Sequence, residues 1–271
     1  MSSTTPSVLP PLRLARNRSG YLLLSLFFAT IVLIALVWWP LVEDYVGSWD
    51  PRFPWWLQVD WLLLGIFAAM TLLIVIGADL RRDAAIVAVG LMGGLVIESW
   101  GTQTGLWTYY TAERPPLWII PAWPVASLAI DRLARVLEGR LRGIGRVPAI
   151  LLYGAAFGVF AVLMIPFVWP TRHLSLTITA LILCAFLIVT PAHIRATLAI
   201  FVAGSALGYF LELWGTTRAC WTYYTLETPP PFAVLAHGMA AVAFWRSGLA
   251  LAALWAAIRS RTRSRLAASQ G

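Results

Sequence analysis

Eight apolar runs of near-membrane length set most of what this chain can fold into. A hydrocarbon core of about 30 Å is crossed by roughly 20 helical residues. Runs close to that length fall at about 20–40, 56–78, 84–101, 117–135, 148–169, 173–191, 195–214 and 231–257. Tyr21 to Trp39 and Pro148 to Val168 carry no polar stripe, which a helix half-facing water would need. With 60% hydrophobic and 12% charged residues and a mean hydropathy of +0.78, the apolar surface exceeds what one soluble core of this length buries. Within lipid the backbone must satisfy its own hydrogen bonds. The expectation is an all-α integral membrane protein of about eight transmembrane helices.

All 20 basic residues are arginines, and the net charge is +8. Their placement in the short connections speaks for membrane orientation and against nucleic acid as a partner. With the N-terminus inside, Arg13, Arg16, Arg18, Arg81, Arg82, Arg132, Arg135, Arg140, Arg142, Arg146, Arg195, Arg259, Arg261, Arg263 and Arg265 face the cytoplasm. Only Arg52, Arg114, Arg172 and Arg218 face outward. This predicts an even number of spans and two cytoplasmic termini, in a bacterial inner (plasma) membrane. The arginines ahead of the first run imitate a signal peptide, but that run is too long and lacks a small-residue cleavage site, so a retained first span is expected. Cys184 and Cys220 suggest neither a disulfide nor a metal site.

One stretch occurs twice. Arg81 to Pro116 and Arg195 to Pro230 align without a gap at a constant offset of 114 residues, with 17 identities in 36 positions. The shared pattern is G-x-x-x-G-x-x-x-E-x-W-G-T-x-x-x-x-W-T-Y-Y-T-x-E-x-P-P. It predicts two parallel four-helix repeats, about 1–140 and 145–271, related by an axis along the membrane normal. The first outer connection, Glu43 to Pro54, is long, and its counterpart around Thr171 and Arg172 is very short. Gly90, Gly94 and Glu98 are spaced to share one helical face, as are Gly204, Gly208 and Glu212. Small residues let helices approach closely in lipid, so the third and seventh helices are expected near the pseudo-twofold axis. Each would carry a glutamate at the outward end of its glycine groove, followed by an aromatic outer loop and a Pro-Pro helix start.

Glu98 and Glu212 are the candidate catalytic residues. A carboxylate within a span is costly unless it faces a cavity, is paired or is protonated, and a protonated carboxyl can serve as a general acid. The bland alternative is that each glutamate cross-links helices by hydrogen bonds near the interface. Trp100, Trp107, Tyr109 and Tyr110, with their counterparts Trp214, Trp221, Tyr223 and Tyr224, are the candidate substrate-binding residues. An ordered W-T-Y-Y-T beside a buried acid reads as a pocket wall better than as an interfacial belt. Glu113 and Glu227 read as ordinary surface. Arg132 and Arg246 are aligned but lie a helix length from the glutamates, so snorkelling to the interface is expected of both. His237 takes the position matching Trp123, just inside the eighth helix, where it could touch the same pocket, although a lone histidine of this kind is more often structural. No metal-binding or phosphate-binding motif is present, so neither metal nor cofactor is expected.

The residues fit an aromatic-walled, cofactor-free site for a lipid-soluble isoprenoid. A glutamic acid would protonate an alkene, aromatic faces would stabilise the carbocation, and water or a second alkene would capture it. I-E-S-W-G-T-Q-T-G at Ile97 to Gly105, then Tyr109 and Tyr110, then P-L-W-I-I-P-A-W at Pro116 to Trp123, resembles membrane carotenoid-biosynthesis proteins of the carotenoid 1,2-hydratase type. Trp107-Thr108 stands where those proteins have a Phe-Gly step, and the second copy has Arg218-Ala219 in place of Thr-Gly. The resemblance implies Glu98 as the matching acid and water addition to the end of an acyclic carotenoid. Whether such an enzyme is a hydratase (lyase) or a cyclase (isomerase), and its oligomeric state, stay open. So do two other classes: a proton-coupled transporter or lipid-handling protein using the paired carboxylates, and a membrane subunit whose aromatic loops bind a partner.

Overall fold

The computed structural model describes Leu9, residues 18–190 and residues 192–268, with side chains to Ser260. Arg13 and Arg16, and the side chains of Arg261, Arg263 and Arg265, lie outside the described part, and with them a share of the arginine asymmetry. Helix makes up 79% of the structure, so the all-α class holds. The helices are α1 (Arg18–Val37), α2 (Trp39–Gly47), α3 (Trp61–Val75), α4 (Leu80–Gln103), α5 (Ala122–Arg140), α6 (Arg146–Val168), α7 (Ser175–Val189), α8 (Ile194–Thr217) and α9 (Pro231–Ala268). Two three-residue strands, β1 (Trp107–Tyr109) and β2 (Trp221–Tyr223), complete the architecture.

Each expected span contains a helix, but among the described residues six helices rather than eight are, by length and composition, long and apolar enough to cross a membrane. The shorter ones, α3 and α7, have 15 residues each, about 22 Å at the helical rise. The long first connection is not plain loop: α2 occupies its start and a 310 turn at Trp55–Leu57 its end. Helix starts follow local chemistry. Asp60 caps α3 by accepting from Leu63 N at 3.1 Å. Asp79 caps α4 through Arg81 N, while Asp83 reaches back to accept from Asp79 N at 2.9 Å, a reciprocal cap. The prolines act as expected in the second copy, where α9 opens at Pro231. In the first, Pro116 leads into a 310 turn (Leu117–Ile119) and α5 begins only at Ala122.

The glycine grooves close the bundle differently from the expectation. They do not bring α4 to α8. A methyl at Gly90 would sit 2.8 Å from Pro124 Cα and one at Gly94 2.4 Å from the Trp123 ring, both on α5. In the second copy Gly204 meets Gly238 and Gly208 meets His237, both on α9. Each groove therefore seats the helix that follows it, and the copies join crosswise, α5 on α8 and α4 on α9. Backbone approach this close needs residues without a side chain on one partner.

Because β1 and β2 pair with each other directly after α4 and α8, both helices end at the same end of the bundle. At the opposite end Arg132 is not snorkelling, as expected, but completely buried. It donates to Asp83 at 2.6 Å and to Asp131 at 2.9 Å, with Arg82 and Arg135 also on Asp131. The acids that fix it lie on α4 and on α5 itself, contacts that the spacing of arginines alone does not announce. Arg246, its counterpart, is half-buried and reaches Thr190 Oγ1 at 3.2 Å, because Thr197 stands where Asp83 would be.

Candidate functional site

The W-T-Y-Y-T segments form the site by pairing with each other. Trp107 lies opposite Tyr223, Thr108 opposite Thr222 and Tyr109 opposite Trp221, antiparallel. Tyr110 N donates to Cys220 O at 3.2 Å and Tyr224 N to Leu106 O at 3.1 Å. Those flanking bonds leave the Trp107–Tyr223 and Tyr109–Trp221 pairs non-hydrogen-bonded, the register in which facing side chains approach most closely. Their ring centroids are 5.9 and 6.0 Å apart. Alternation turns Thr108 and Thr222 outward, where they are exposed, and the aromatic rings inward. The turns out of the strands place Ala112 and Leu226 at φ of 59° and 61°, again at matching positions.

Beneath this ribbon each glutamate collects three hydrogen-bond partners. Glu98 accepts from Trp107 Nε1 at 3.1 Å, Tyr109 Oη at 2.9 Å and Trp123 Nε1 at 3.1 Å. Glu212 accepts from Trp221 Nε1 at 2.9 Å and Tyr223 Oη at 2.8 Å, and His237 Nε2 lies 2.9 Å from its Oε1. Both carboxyls are buried, 3% and 2% exposed. Three hydrogen bonds to each satisfy a buried carboxyl that would be costly to leave unpaired. One turn on, Thr102 and Thr216 donate to the main-chain oxygens of Glu98 and Glu212 at 2.5 and 2.6 Å. Burial, then the adjacent carboxylates, hold the Tyr109 phenol well above its ordinary value. The same causes act on Tyr223, so both are donors at neutral pH. Burial also pushes the Cys220 thiol up to about 12, which leaves it inert as a nucleophile.

The remaining candidates do other work. Trp100 donates to Thr177 Oγ1 at 3.1 Å and Trp214 to Asp60 Oδ2 at 3.0 Å. Each indole thus ties its own copy to a short helix of the other, Trp100 to α7 and Trp214 to the cap of α3. Arg218 adds an ion pair to Asp60 at 3.0 Å. Tyr110 Oη donates to Val37 O at the end of α1, and Tyr224 Oη to Phe167 O near the end of α6 at 2.8 Å. Glu113 and Glu227 are exposed. So Trp107, Tyr109, Trp221 and Tyr223 pack around the acids themselves, and Trp100, Trp214, Tyr110 and Tyr224 bond to the helices around them.

A surface groove of about 360 Å3 runs between α6 and the start of α9, lined by Leu163, Pro166, Phe167, Tyr224, Glu227 and Phe232. Phe167 and Phe232 on its wall pack against Tyr223, with centroids 5.9 and 5.3 Å away. Phe167 or Phe232, and behind them Tyr223, therefore separate the groove from Glu212. Among the described residues no cluster of three or more His, Cys, Asp or Glu side chains is placed to hold a metal ion.

Reasoning from sequence placed His237 at the position of Trp123, within reach of the pocket but more often structural, and left Trp123 out of the site, although both stand opposite a glycine of the groove. The strand pairing was also missed, since three-residue strands 114 positions apart leave only the alternation of W-T-Y to betray them. Comparison of the chain with protein-family models, curated proteins and solved structures finds no match.

Proposed function

We propose that the protein is a membrane enzyme that protonates an alkene of a lipid-soluble isoprenoid, a carotenoid-type polyene above all, and hydrates or cyclises it without a cofactor. The observation that carries this reading is the pair of buried, thrice-bonded glutamates set among indole and phenol rings, with a mainly apolar groove whose phenylalanine wall packs on the Tyr223 ring that bonds Glu212. Delivery of a proton to a terminal double bond creates a tertiary cation. Aromatic faces stabilise it, and capture by water with loss of a proton gives an alcohol, whereas capture by a second alkene followed by proton loss gives a ring. The resemblance of Ile97 to Trp123 to carotenoid 1,2-hydratase-type proteins points the same way.

In this reading eight helices cross the membrane, four per half, with the halves parallel. Contacts at the ribbon support it: the C-terminal ends of α1, α4, α6 and α8 and the starts of α3 and α7 all lie beside β1 and β2. Both short helices then traverse the bundle with help from flanking residues. The ribbon faces outward and the Arg132 cluster inward, both termini are cytoplasmic, and the membrane is a bacterial inner membrane. A proton-coupled carrier is the second reading, favoured by the closed donor shells around both acids.

The deciding experiment is expression in cells that accumulate acyclic carotenoids or other polyprenoids, followed by mass analysis of the extracted pigments. A product heavier by one water, or an isomer of equal mass, is expected. An unchanged profile across several such substrates overturns the enzyme.

A further inference from the structure

The two donor shells match position for position except at one. Trp107 and Tyr109 on Glu98 correspond to Trp221 and Tyr223 on Glu212, but Trp123 corresponds to His237. An indole N–H only donates and does not ionise near neutral pH, whereas imidazole both accepts and releases a proton. The two rings stack across the centre of the site, centroids 5.9 Å apart at 20°. The His237 side chain keeps 21% of its surface accessible while Glu212 is sealed. The groove, too, lies on the Glu212 side: its Phe232 is matched by Trp118 in the first half, and its Phe167 lies in α6.

We infer that the two glutamates have different tasks: Glu212 exchanges protons through His237, and Glu98 is a fixed acceptor that holds the first strand and α5 in place. The inference deepens the isoprenoid reading and rests on it only for what finally receives the proton. In a turnover, Glu212 gives its proton to the substrate carbon. His237, doubly protonated, then returns one from Nε2 to the carboxylate, and the neutral imidazole regains through solvent the proton released when the cation is captured. His237 is thereby a proton-relay residue acting through Glu212.

The groups that face this pair are few. Glu98 on α4, Tyr109 on β1 and Tyr223 on β2 are within electrostatic reach. From α5 His237 meets Trp123, and from α8 the bare backbone of Gly208. On α6, Tyr153 is turned to Ile188 O, and α7 carries no ionisable group but the thiol of Cys184.

Infrared difference spectra of the purified protein in lipid, recorded between acid and alkaline buffer and after transfer to heavy water, test this without any substrate. A carboxyl C=O band that responds to pH and exchanges rapidly is expected in the wild type and in Glu98→Gln, and is expected to vanish in Glu212→Gln. His237→Trp, which copies the first half, should slow its exchange at least tenfold. His237→Gln, which keeps a donor of similar reach, should do the same, and the His237 imidazole signal in magnetic resonance should shift in Glu212→Gln. Loss of the band in a folded Glu98→Gln protein, its survival in Glu212→Gln, or unchanged exchange in both His237 variants would overturn the inference. If Glu98→Gln does not fold, the Glu212 and His237 variants decide alone. Absence of any isoprenoid product beside a positive infrared result would reject the enzyme and keep the proton site.

Discussion

Gly101 and Gly215 stand one turn beyond Glu98 and Glu212, where the indoles of Trp107 and Trp221 lie flat against the helix. A methyl added there would come within 1.8 and 1.9 Å of the rings, so the ring must leave and the carboxylate loses a donor. Gly101→Ala and Gly215→Ala should each destabilise the protein by roughly 1–3 kcal/mol from overpacking alone, seen as a lower unfolding temperature in detergent. Gly154→Ala and Gly158→Ala, with open space at the same atom, should leave that temperature unchanged or slightly raise it. Equal losses in both pairs would mean that the indoles do not lock the acids. At this scale the sequence was informative about which residues matter and silent about their partners. Glu98 and Glu212 were legible because charge is rare in apolar runs. Their donors come from the next loop and the next helix, and no local periodicity relates those.

Among the elements, the two strands are the feature that chain order hides. Each has three residues, far too few to persist alone, and each finds its edge partner in the other copy. Thr108 and Thr222 face each other at the centre of the ribbon with exposed side chains. In a protein freed of its native cysteines, Thr108→Cys with Thr222→Cys should therefore cross-link within minutes under mild oxidation, since directly opposed strand residues fall within disulfide reach. Thr111→Cys with Thr225→Cys, three residues beyond the centre on each strand in opposite directions, should not. The reverse outcome on gels would dissolve the ribbon. The helices were more legible, because periods of apolar length and flanking Asp, Gly and Pro are local signals. Where α5 begins was not, because the 310 turn after Pro116 depends on how Trp118 packs with Trp38 and Tyr109.

For the whole molecule, the ribbon at one end and the buried cluster of Asp83, Asp131, Arg132 and Arg135 at the other define a polar direction that the membrane should read. Single cysteines at Thr111 and Thr225 should react with an impermeant thiol reagent from the periplasmic side, and one at Arg142 only after the membrane is opened. Protection of either threonine position would overturn the proposed orientation. The sequence by itself determined the all-α class, the approximate place of the helices in the eight apolar runs and the duplication, because hydrophobic length and identity at a fixed offset are written along the chain. It also singled out the acids, since a carboxylate in lipid is conspicuous. Only the tertiary structure decided that the glycines seat α5 and α9, that the aromatic loops pair as strands, that Arg132 is buried among acids, and that His237 completes the shell of Glu212. Each of these depends on contacts between residues distant in sequence, whose energies come from close packing and paired charge, and neither leaves a period or a spacing to be read.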